Sequence, residues 1–482
     1  MKHPLRTMLA AATAAAVTGG LLTLATPASA APAKYADDFN GDGYRDLVTA
    51  APYATVGGKA YAGAVVVNYG SASGIKASRR TVITQNSTGV PGTAEKEDEF
   101  GTALASGDLN RDGYADLVVG AAKEDVGSDA DGGTAVIIWG GSGGLSGGQA
   151  VPDPAPAAHD LYGMSLAVGD FTGDGKADLA VGSTGKDIWI HRGGYTKASG
   201  AASRYELATD LEPGNGVYGA QSLSAGDING DGTDDLAVSG TYNPDASTYT
   251  DGTLVYLGSS TGLTFQTVLN NHAWELAAVG DLNGDGYADV VSSAAPNAYR
   301  EGDGGSINTY LGGPNGIATT PRQTIDQDTA GVPGTAEDSD WFGSSLSIGD
   351  IDGDGRDDVA VGALYEDIGS AVLAGSVTVL RGSATGLSTS NAKAFTQDTA
   401  GVPGTAEKTD QFGKAVHLAD LNGDGHADLS IGADGENNAD GALWTLRGAS
   451  SGITTTNAVS FGPSSAGVST SGYPRLGFAM LR

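Results

Sequence analysis

A nine-residue stretch, Asp108–Asp116, carries side-chain oxygens at the spacing that a hard metal ion requires. Oxygen-bearing residues fall at positions 1, 3, 5 and 9, and Gly113 at position 6 permits a sharp turn. Tyr114 at position 7 would add its backbone carbonyl oxygen. Because Ca²⁺ takes about 6–8 oxygen ligands at roughly 2.3–2.6 Å, the stretch predicts a calcium loop.

The same pattern occurs seven times, and each copy is followed by an apolar run. Such repetition at a nearly constant step indicates a repeat architecture. We predict up to seven structural Ca²⁺ ions, with position 7 contributing a carbonyl in every loop. The predicted ligands are Asp38, Asn40, Asp42, Tyr44 and Asp46; Asp108, Asn110, Asp112, Tyr114 and Asp116; Asp170, Thr172, Asp174, Lys176 and Asp178; Asp227, Asn229, Asp231, Thr233 and Asp235; Asp281, Asn283, Asp285, Tyr287 and Asp289; Asp350, Asp352, Asp354, Arg356 and Asp358; and Asp420, Asn422, Asp424, His426 and Asp428.

An EF-hand is the main alternative for these acidic loops. It needs a bidentate Glu at position 12 and a helix after the loop. Position 12 is Thr, Val, Ser or Ile in the seven copies, and the flanking residues alternate as strands do. The sequence therefore excludes EF-hands.

The last repeat shows which elements carry a loop. Phe412–Leu418, Leu429–Ala433, Ala442–Leu446 and Ala458–Phe461 predict four strands, A to D, with the calcium loop between A and B. Seven such antiparallel meanders predict an all-β, seven-bladed β-propeller forming a single domain over residues 31–482. The first blade has no room for a strand A before its loop. We expect residues 475–481 to insert as that inner strand and close the ring.

The N-terminal residues predict export. Lys2 and Arg6 precede an apolar stretch, and Ala28-Ser29-Ala30 forms a cleavage signal, so residues 1–30 are predicted to be a secretory signal peptide. We expect a secreted, extracellular protein, either free or associated with the cell surface. No later segment is apolar for 18 residues, so no membrane span is expected. The chain has no Cys, which leaves the core and bound metal to replace disulfides.

The charge excludes two classes of partner. With 57 acidic against 26 basic residues, the net charge is −31. Nucleic-acid binding relies on basic contacts to phosphate, and anionic lipid surfaces attract basic segments. Neither partner is expected.

The residues that bracket the loops resemble a known family. Phe100-Gly101 and Gly120-Ala121-Ala122 stand on either side of one loop, and Phe412-Gly413 and Gly432-Ala433 bracket another. This arrangement resembles the FG-GAP repeat of the integrin α-subunit N-terminal propeller and its bacterial relatives, over residues 34–482. The resemblance implies a propeller with Ca²⁺ in the A–B hairpins that acts in binding or cell adhesion rather than catalysis. Blades 3 and 4 carry Tyr162 and Tyr218 in place of Phe, and blade 5 lacks the Gly.

Three functions remain open from the sequence. The first is a monomeric binding module for an extracellular protein, the second is a lectin-like binder of polysaccharide, and the third is an extracellular hydrolase or lyase with its site on the propeller axis. No catalytic residue is predicted. The connections opposite the calcium loops are long, and their aromatic and Arg residues favour recognition. Tyr299, Arg300 and Trp341 are therefore the predicted ligand-binding residues.

Overall fold

The computed structural model describes residues 32–214, 219–243, 250–270, 276–294 and 303–481, without the side chain of Asn270. Within these ranges 27 strands form seven antiparallel sheets, and the helices are two four-residue turns, Glu436–Ala439 and Pro463–Ala466. The predicted signal peptide, residues 1–30, lies outside the described residues.

The strands follow one another around the ring, and blade numbers follow the order of the loops. Blade 1 holds β1 (Leu47–Ala51), β2 (Ala64–Asn68) and β3 (Arg80–Ile83); blade 2 holds β4 (Leu104–Gly107), β5 (Asp116–Ala121), β6 (Thr134–Trp139) and β7 (Ser146–Val151); blade 3 holds β8 (Ser165–Gly169), β9 (Asp178–Gly182), β10 (Asp187–Arg192) and β11 (Ser203–Ala208); blade 4 holds β12 (Ser222–Gly226), β13 (Asp235–Tyr242), β14 (Thr250–Leu257) and β15 (Thr264–Asn270). Blade 5 holds β16 (Ala277–Gly280), β17 (Asp289–Ala294), β18 (Ser306–Tyr310) and β19 (Gln323–Ile325); blade 6 holds β20 (Phe342–Gly349), β21 (Asp358–Ala363), β22 (Ser376–Ser383) and β23 (Gly386–Phe395); blade 7 holds β24 (Phe412–Ala419), β25 (Asp428–Ala433), β26 (Ala442–Arg447) and β27 (Thr454–Phe461).

Each sheet is a meander in which every strand pairs with the next one in the chain. The prediction of an all-β, seven-bladed propeller with four-stranded antiparallel blades is confirmed. The four strands predicted for the last repeat correspond to β24–β27. The fourth of them begins at Thr454, four residues before the predicted start, because Arg447 pairs with Thr454 across an irregularity in the register.

The core lies between neighbouring blades. Side chains of blades 1 and 2 form one buried cluster that includes Val48, Val65, Phe100 and Val119, and similar clusters lie between the other blades. Both faces of an inner sheet are therefore covered, and all six residues of β5 are buried. The aromatic residue of the FG motif belongs to this packing, since Phe100 has no exposed surface.

The C-terminal residues lie against the inner edge of blade 1. The Ala50 backbone N–H donates to the Ala479 carbonyl at 2.8 Å, and the Gly477 N–H donates to the Ala50 carbonyl at 3.1 Å. Thr49 and Met480 form an isolated antiparallel bridge, while the sheet of blade 1 has only the three strands β1–β3 in the described part of the chain. Closure of the ring by a full strand over residues 475–481 remains a prediction.

Candidate metal centres

Each of the seven predicted calcium loops is an A–B hairpin that folds around its own first Asp. In the first loop, the Asp38 carboxylate accepts the backbone N–H groups of Gly41, Asp42 and Gly43 at 2.8, 3.2 and 2.9 Å. The N–H groups of positions 5 and 6 bind the first Asp in all seven loops. The glycine-rich sequence permits this tight wrap, because Gly43 has a φ of 88°.

Positions 3 and 5 are oriented by the same kind of contact. In the second loop, Asn110 Oδ1 accepts the Asp112 N–H at 2.9 Å, and Asp112 Oδ1 accepts the Tyr114 N–H at 3.2 Å. Each side chain keeps further oxygen lone pairs, since a carboxylate has about four acceptor sites. Oxygen-only donors of this kind fit Ca²⁺.

The sixth loop brings three carboxylates together. One oxygen each from Asp350, Asp352 and Asp358 lies within 4.8 Å of the others. Among the described residues, this is the group in which at least three Asp, Glu, His or Cys side chains come that close together. Asp352 Oδ1 is buried without a hydrogen-bond partner, and the other oxygen of Asp352 pairs with Arg381. The donors and the unpaired oxygen fit a cation.

Position 9 has a structural role that the spacing did not reveal. Asp116 is fully buried, and its two carboxylate oxygens accept the Leu109 N–H at 3.1 Å and the Gly140 N–H at 2.9 Å. Gly140 begins the turn between strands C and D, so Asp116 joins the calcium loop to that turn. Blades 1, 4, 5 and 6 repeat both bonds.

Burial also changes the acidity of position 9. Desolvation disfavours the ionised form, so the pKa is raised in every blade. It reaches about 8 for Asp46, about 7 for Asp116, Asp235, Asp289 and Asp358, and about 6 for Asp178 and Asp428. A cation in the loop would favour the ionised carboxylate instead.

The third loop differs from the others. Thr172 at position 3 offers a neutral hydroxyl instead of a carboxylate or amide. Lys176 Nζ at position 7 lies 2.6 Å from Asp174 Oδ2, a pairing that the sixth loop shares, where Arg356 Nη1 lies 2.7 Å from Asp354 Oδ2. The Lys176 hydrogen bond lowers the pKa of Asp174. In this loop Asp178 Oδ2 has no hydrogen-bond partner, whereas both carboxylate oxygens of Asp116, at position 9 of the second loop, accept a backbone N–H. The internal cation at position 5 competes with a metal ion for the same carboxylate.

The loops also contact one another around the ring. The Ala115 N–H of loop 2 donates to the Asp38 carbonyl of loop 1 at 3.0 Å, and four further neighbouring pairs repeat this bond. A Cβ on Gly41 would lie 2.7 Å from the Tyr114 ring, and one on Gly423 would lie 2.9 Å from the Tyr44 ring. Sequence spacing gave no signal for these contacts between blades.

The predicted ligand-binding residues are only partly described. Tyr299 and Arg300 lie outside the described residues. Trp341 is half-buried next to the FG motif of blade 6, with its ring centroid 5.7 Å from that of Tyr365 in an edge-to-face arrangement. The ligand surface therefore remains a prediction.

Comparison with family models identifies the repeats. The FG-GAP repeat matches residues 36–67, 100–138, 162–202, 342–380 and 412–446, and the FG-GAP-like repeat matches residues 227–292. The two models together match about half of the chain. The chain belongs to the FG-GAP repeat family, as its bracketed loops predicted.

Several curated relatives are integrin α subunits. Integrin alpha pat-2 of Caenorhabditis briggsae is 30% identical over 246 residues, which is 46% of this chain and 19% of that protein. Integrin alpha-PS2 of Drosophila melanogaster is 30% identical over 237 residues, covering 45% and 16%. The phosphatidylinositol-glycan-specific phospholipase D of Mus musculus is 32% identical over 149 residues, covering 30% and 17%. The chain spans less than a fifth of the length of these relatives.

Fold and relatives together define an integrin-α-like FG-GAP propeller. Among solved structures, the Dos1 propeller aligns over 69% of this chain and 67% of its own, with 11% identity and a TM-score of 0.37, a likeness too weak to inform function. No helix in the described part of the chain is long and apolar enough to cross a membrane.

Proposed function

We propose that the protein is a secreted binding module whose seven A–B loops hold structural Ca²⁺. The observation that carries this proposal is the common geometry of the loops, in which the first Asp organises the turn and oxygen donors follow at positions 3, 5 and 9. Because neighbouring loops are hydrogen-bonded to each other, an ion in one loop would stabilise two blades. Bound metal would then stabilise the fold, as disulfides do in many secreted proteins.

Calcium binding is tested by counting ions. Equilibrium dialysis of the metal-stripped chain against Ca²⁺ is expected to give up to seven ions for the hairpin loops. Asp112→Asn removes one loop carboxylate and should reduce the number by one at a limiting Ca²⁺ concentration. The matched control is Asp210→Asn, an exposed acid outside the loops. Failure to bind Ca²⁺ at millimolar concentration, the weakest affinity of extracellular calcium modules, would contradict the proposal.

The ligand is proposed to bind opposite the loops, as an extracellular protein or a polysaccharide. The integrin relatives favour the protein, and cell adhesion is the leading role. A lectin-like role is the alternative, since a ring can repeat a weak site and gain avidity.

The axial cavity gives no support to the third alternative, a hydrolase or lyase. It has a volume of about 300 Å³ and is lined by inner-strand residues such as Ala105, Ser165 and Leu223. Its lining among the described residues carries no acidic, basic or His side chain. General acid–base catalysis needs such a group.

A glycan array and an array of purified extracellular proteins separate the two binding roles. The combined variant Tyr299→Ala, Arg300→Ala and Trp341→Ala is expected to abolish the binding found, without a change in melting temperature. Phe265→Ala is the control, because Phe265 is 51% exposed and lies on the outer strand β15, outside the connections of the predicted surface. Unchanged binding by the triple variant would refute the ligand surface, and release of soluble sugar products would favour an enzyme.

A further inference from the structure

Three of the connections between blades share a second arrangement of oxygen atoms, away from the A–B loops. The connections into blades 2, 6 and 7 contain the sequence Gly-Val-Pro-Gly-Thr-Ala-Glu, preceded by a Gln and followed by an Asp. A Glu in the B–C connection of the receiving blade completes each set. We call these the linker triads: Gln85, Asp98 and Glu124; Gln327, Asp340 and Glu366; and Gln397, Asp410 and Glu436.

The Gln of each triad is buried, and only the nitrogen of its side-chain amide is hydrogen-bonded. Gln85 Nε2 donates to Glu124 Oε2 at 2.5 Å, Gln397 Nε2 donates to Glu436 Oε2 at 2.6 Å, and the Gln327 amide donates to Glu366 in the same way. The three Gln residues are between 1% and 3% exposed. The side-chain oxygen of all three has no hydrogen-bond partner, and turning the amide would set that oxygen against the Glu carboxylate. An unpaired buried carbonyl is costly, so its recurrence at three equivalent positions requires an explanation.

The Asp of each triad is equally buried and faces the Glu. Asp98, Asp340 and Asp410 are 2–3% exposed. One oxygen of each accepts a backbone N–H from the linker Glu, at 2.6 Å from Glu95 and at 2.7 Å from Glu337 and Glu407. In the first and third triads, the Asp and Glu carboxyl groups are also in hydrogen-bonding contact with each other.

Among the described residues, no basic side chain neutralises these acids. The charged groups that act on Glu124 are Asp98 and Glu95, and those that act on Glu366 are Asp340, Glu337 and Asp367. The nearby Lys123 is directed to Glu99, at 2.8 Å. Burial and this repulsion raise the pKa of Glu124, Glu366 and Glu436 to about 7. Buried carboxylates without a counter-charge are unfavourable unless a proton or a cation joins them.

We propose that each linker triad binds a divalent cation of the Ca²⁺ class through its Gln side-chain oxygen and its Asp and Glu carboxylates. The three groups are oxygen donors of the types that Ca²⁺ uses, and water can complete the shell because the Glu residues are only half-buried. The unpaired Gln oxygen favours a cation over a shared proton, since a proton held between Asp and Glu leaves that oxygen unsatisfied. These three sites are independent of the seven hairpin loops.

The junction between blades 7 and 1 lacks the triad. Eight residues after position 9 of the loop, Ala54 stands where blade 2 has Glu124. Two residues before Leu476-Gly477, which corresponds to the FG motif, Pro474 stands where blade 2 has Asp98. No cation is therefore expected there. In blades 3, 4 and 5 the position of Glu124 is taken by Lys186, Asn243 and Asn297, so three additional sites are expected rather than seven.

The test compares calcium stoichiometry in matched variants of the full chain. Glu124→Gln, Glu366→Gln and Glu436→Gln together keep side-chain size and remove the triad charge. At saturating Ca²⁺ this variant is expected to bind three fewer ions than the wild type in equilibrium dialysis. The control changes three exposed carboxylates, Glu97→Gln, Glu206→Gln and Asp210→Asn, and should bind as the wild type does. Asp112→Asn, measured in parallel, reports separately on the hairpin loops.

An unchanged calcium stoichiometry in the triad variant would overturn the proposal. If that variant also melted at a higher temperature than the wild type at neutral pH, the Asp and Glu of each triad would be identified as a proton-sharing pair. If the triple variant does not fold, Tb³⁺ luminescence of the wild type tests whether the third triad binds a cation. The Trp444 indole donates to the Pro403 carbonyl of the third linker at 2.7 Å, so it lies beside that triad. Excitation through tryptophan should give Tb³⁺ emission that Trp444→Phe reduces, and emission unaffected by that change would overturn the third site.

Discussion

At the scale of single residues, the acids of one loop divide into two roles. Asp112 at position 5 is partly exposed, accepts the nearby Tyr114 N–H and pairs with the exposed Lys197 Nζ at 3.2 Å, whereas Asp116 at position 9 is fully buried and joins two turns. Spacing alone makes them look equivalent as metal ligands. Burial separates them, because removing a buried acceptor leaves its donors unsatisfied.

Asp116→Ala is therefore expected to destabilise the protein even without metal. Two buried N–H groups would lose their acceptor, at about 1–3 kcal/mol each, so the free energy of unfolding in EDTA should fall by roughly 2–6 kcal/mol. Asp112→Ala is the matched control and should cost less than about 1 kcal/mol under the same conditions, since water can replace its contact. Urea titration in EDTA measures both. Equal losses would show that position 9 has no separate structural role.

At the scale of elements, the FG motif is explained by contact between blades. Gly413 has a φ of 97°, and a Cβ there would lie 2.5 Å from the Ser376 carbonyl oxygen of blade 6. The adjacent Phe412 is fully buried, with its ring centroid 5.2 Å from that of Trp444. The aromatic group fills the space between two sheets, and the glycine lets the backbone approach the neighbouring strand.

Gly413→Ala should thus lower the stability of the protein by more than the left-handed backbone conformation alone would explain. A non-glycine residue at positive φ costs about 1–2 kcal/mol, and the clash with Ser376 adds to it. Gly58→Ala is the control outside the calcium loops, because Gly58 has a φ of 85° but a Cβ added there would have nothing within 4 Å. We expect a larger drop in melting temperature for Gly413→Ala. Similar drops for the two variants would contradict the close approach.

The elements were largely predictable, and the contacts between them were not. Period-2 alternation and the loop spacing located β24–β27, since these signals are local in sequence. The bonds from Asp116 to Gly140 and from Gln85 to Glu124 join residues 24 and 39 positions apart. Such pairs are set by how strands and blades pack, and a single sequence holds no periodic signal for them. The linker sequence was visible as a repeat, but its acidic partners were not.

At the scale of the whole molecule, the ring depends on contacts between its first and last blades. Leu476 is fully buried, and Met480 and Leu481 are 4% and 3% exposed. In addition, the Ser71 N–H of blade 1 donates to the Leu421 carbonyl of blade 7 at 3.2 Å. The last residues therefore contribute buried apolar surface and backbone bonds at the junction.

Deletion of residues 473–482 is expected to prevent stable folding, because β1 would lose its backbone bonds to Gly477 and Ala479 and the junction would lose its apolar cover. Circular dichroism and thermal unfolding of the truncated chain measure this. The point variant Met480→Asp offers a milder test and should lower the melting temperature. A truncated chain that melts at the wild-type temperature would contradict ring closure by this segment.

Bound Ca²⁺ is proposed to stabilise this ring, and thermal unfolding in Ca²⁺ and in EDTA measures that stabilisation. With free Ca²⁺ at about ten times Kd, each occupied loop would contribute roughly 1.4 kcal/mol, and seven would contribute about 10 kcal/mol. That sum is comparable to a typical protein stability of about 5–15 kcal/mol. We predict a fall in melting temperature of at least about 10 °C in EDTA, reversed by added Ca²⁺. An identical melting temperature in Ca²⁺ and EDTA would show that Ca²⁺ does not stabilise the propeller.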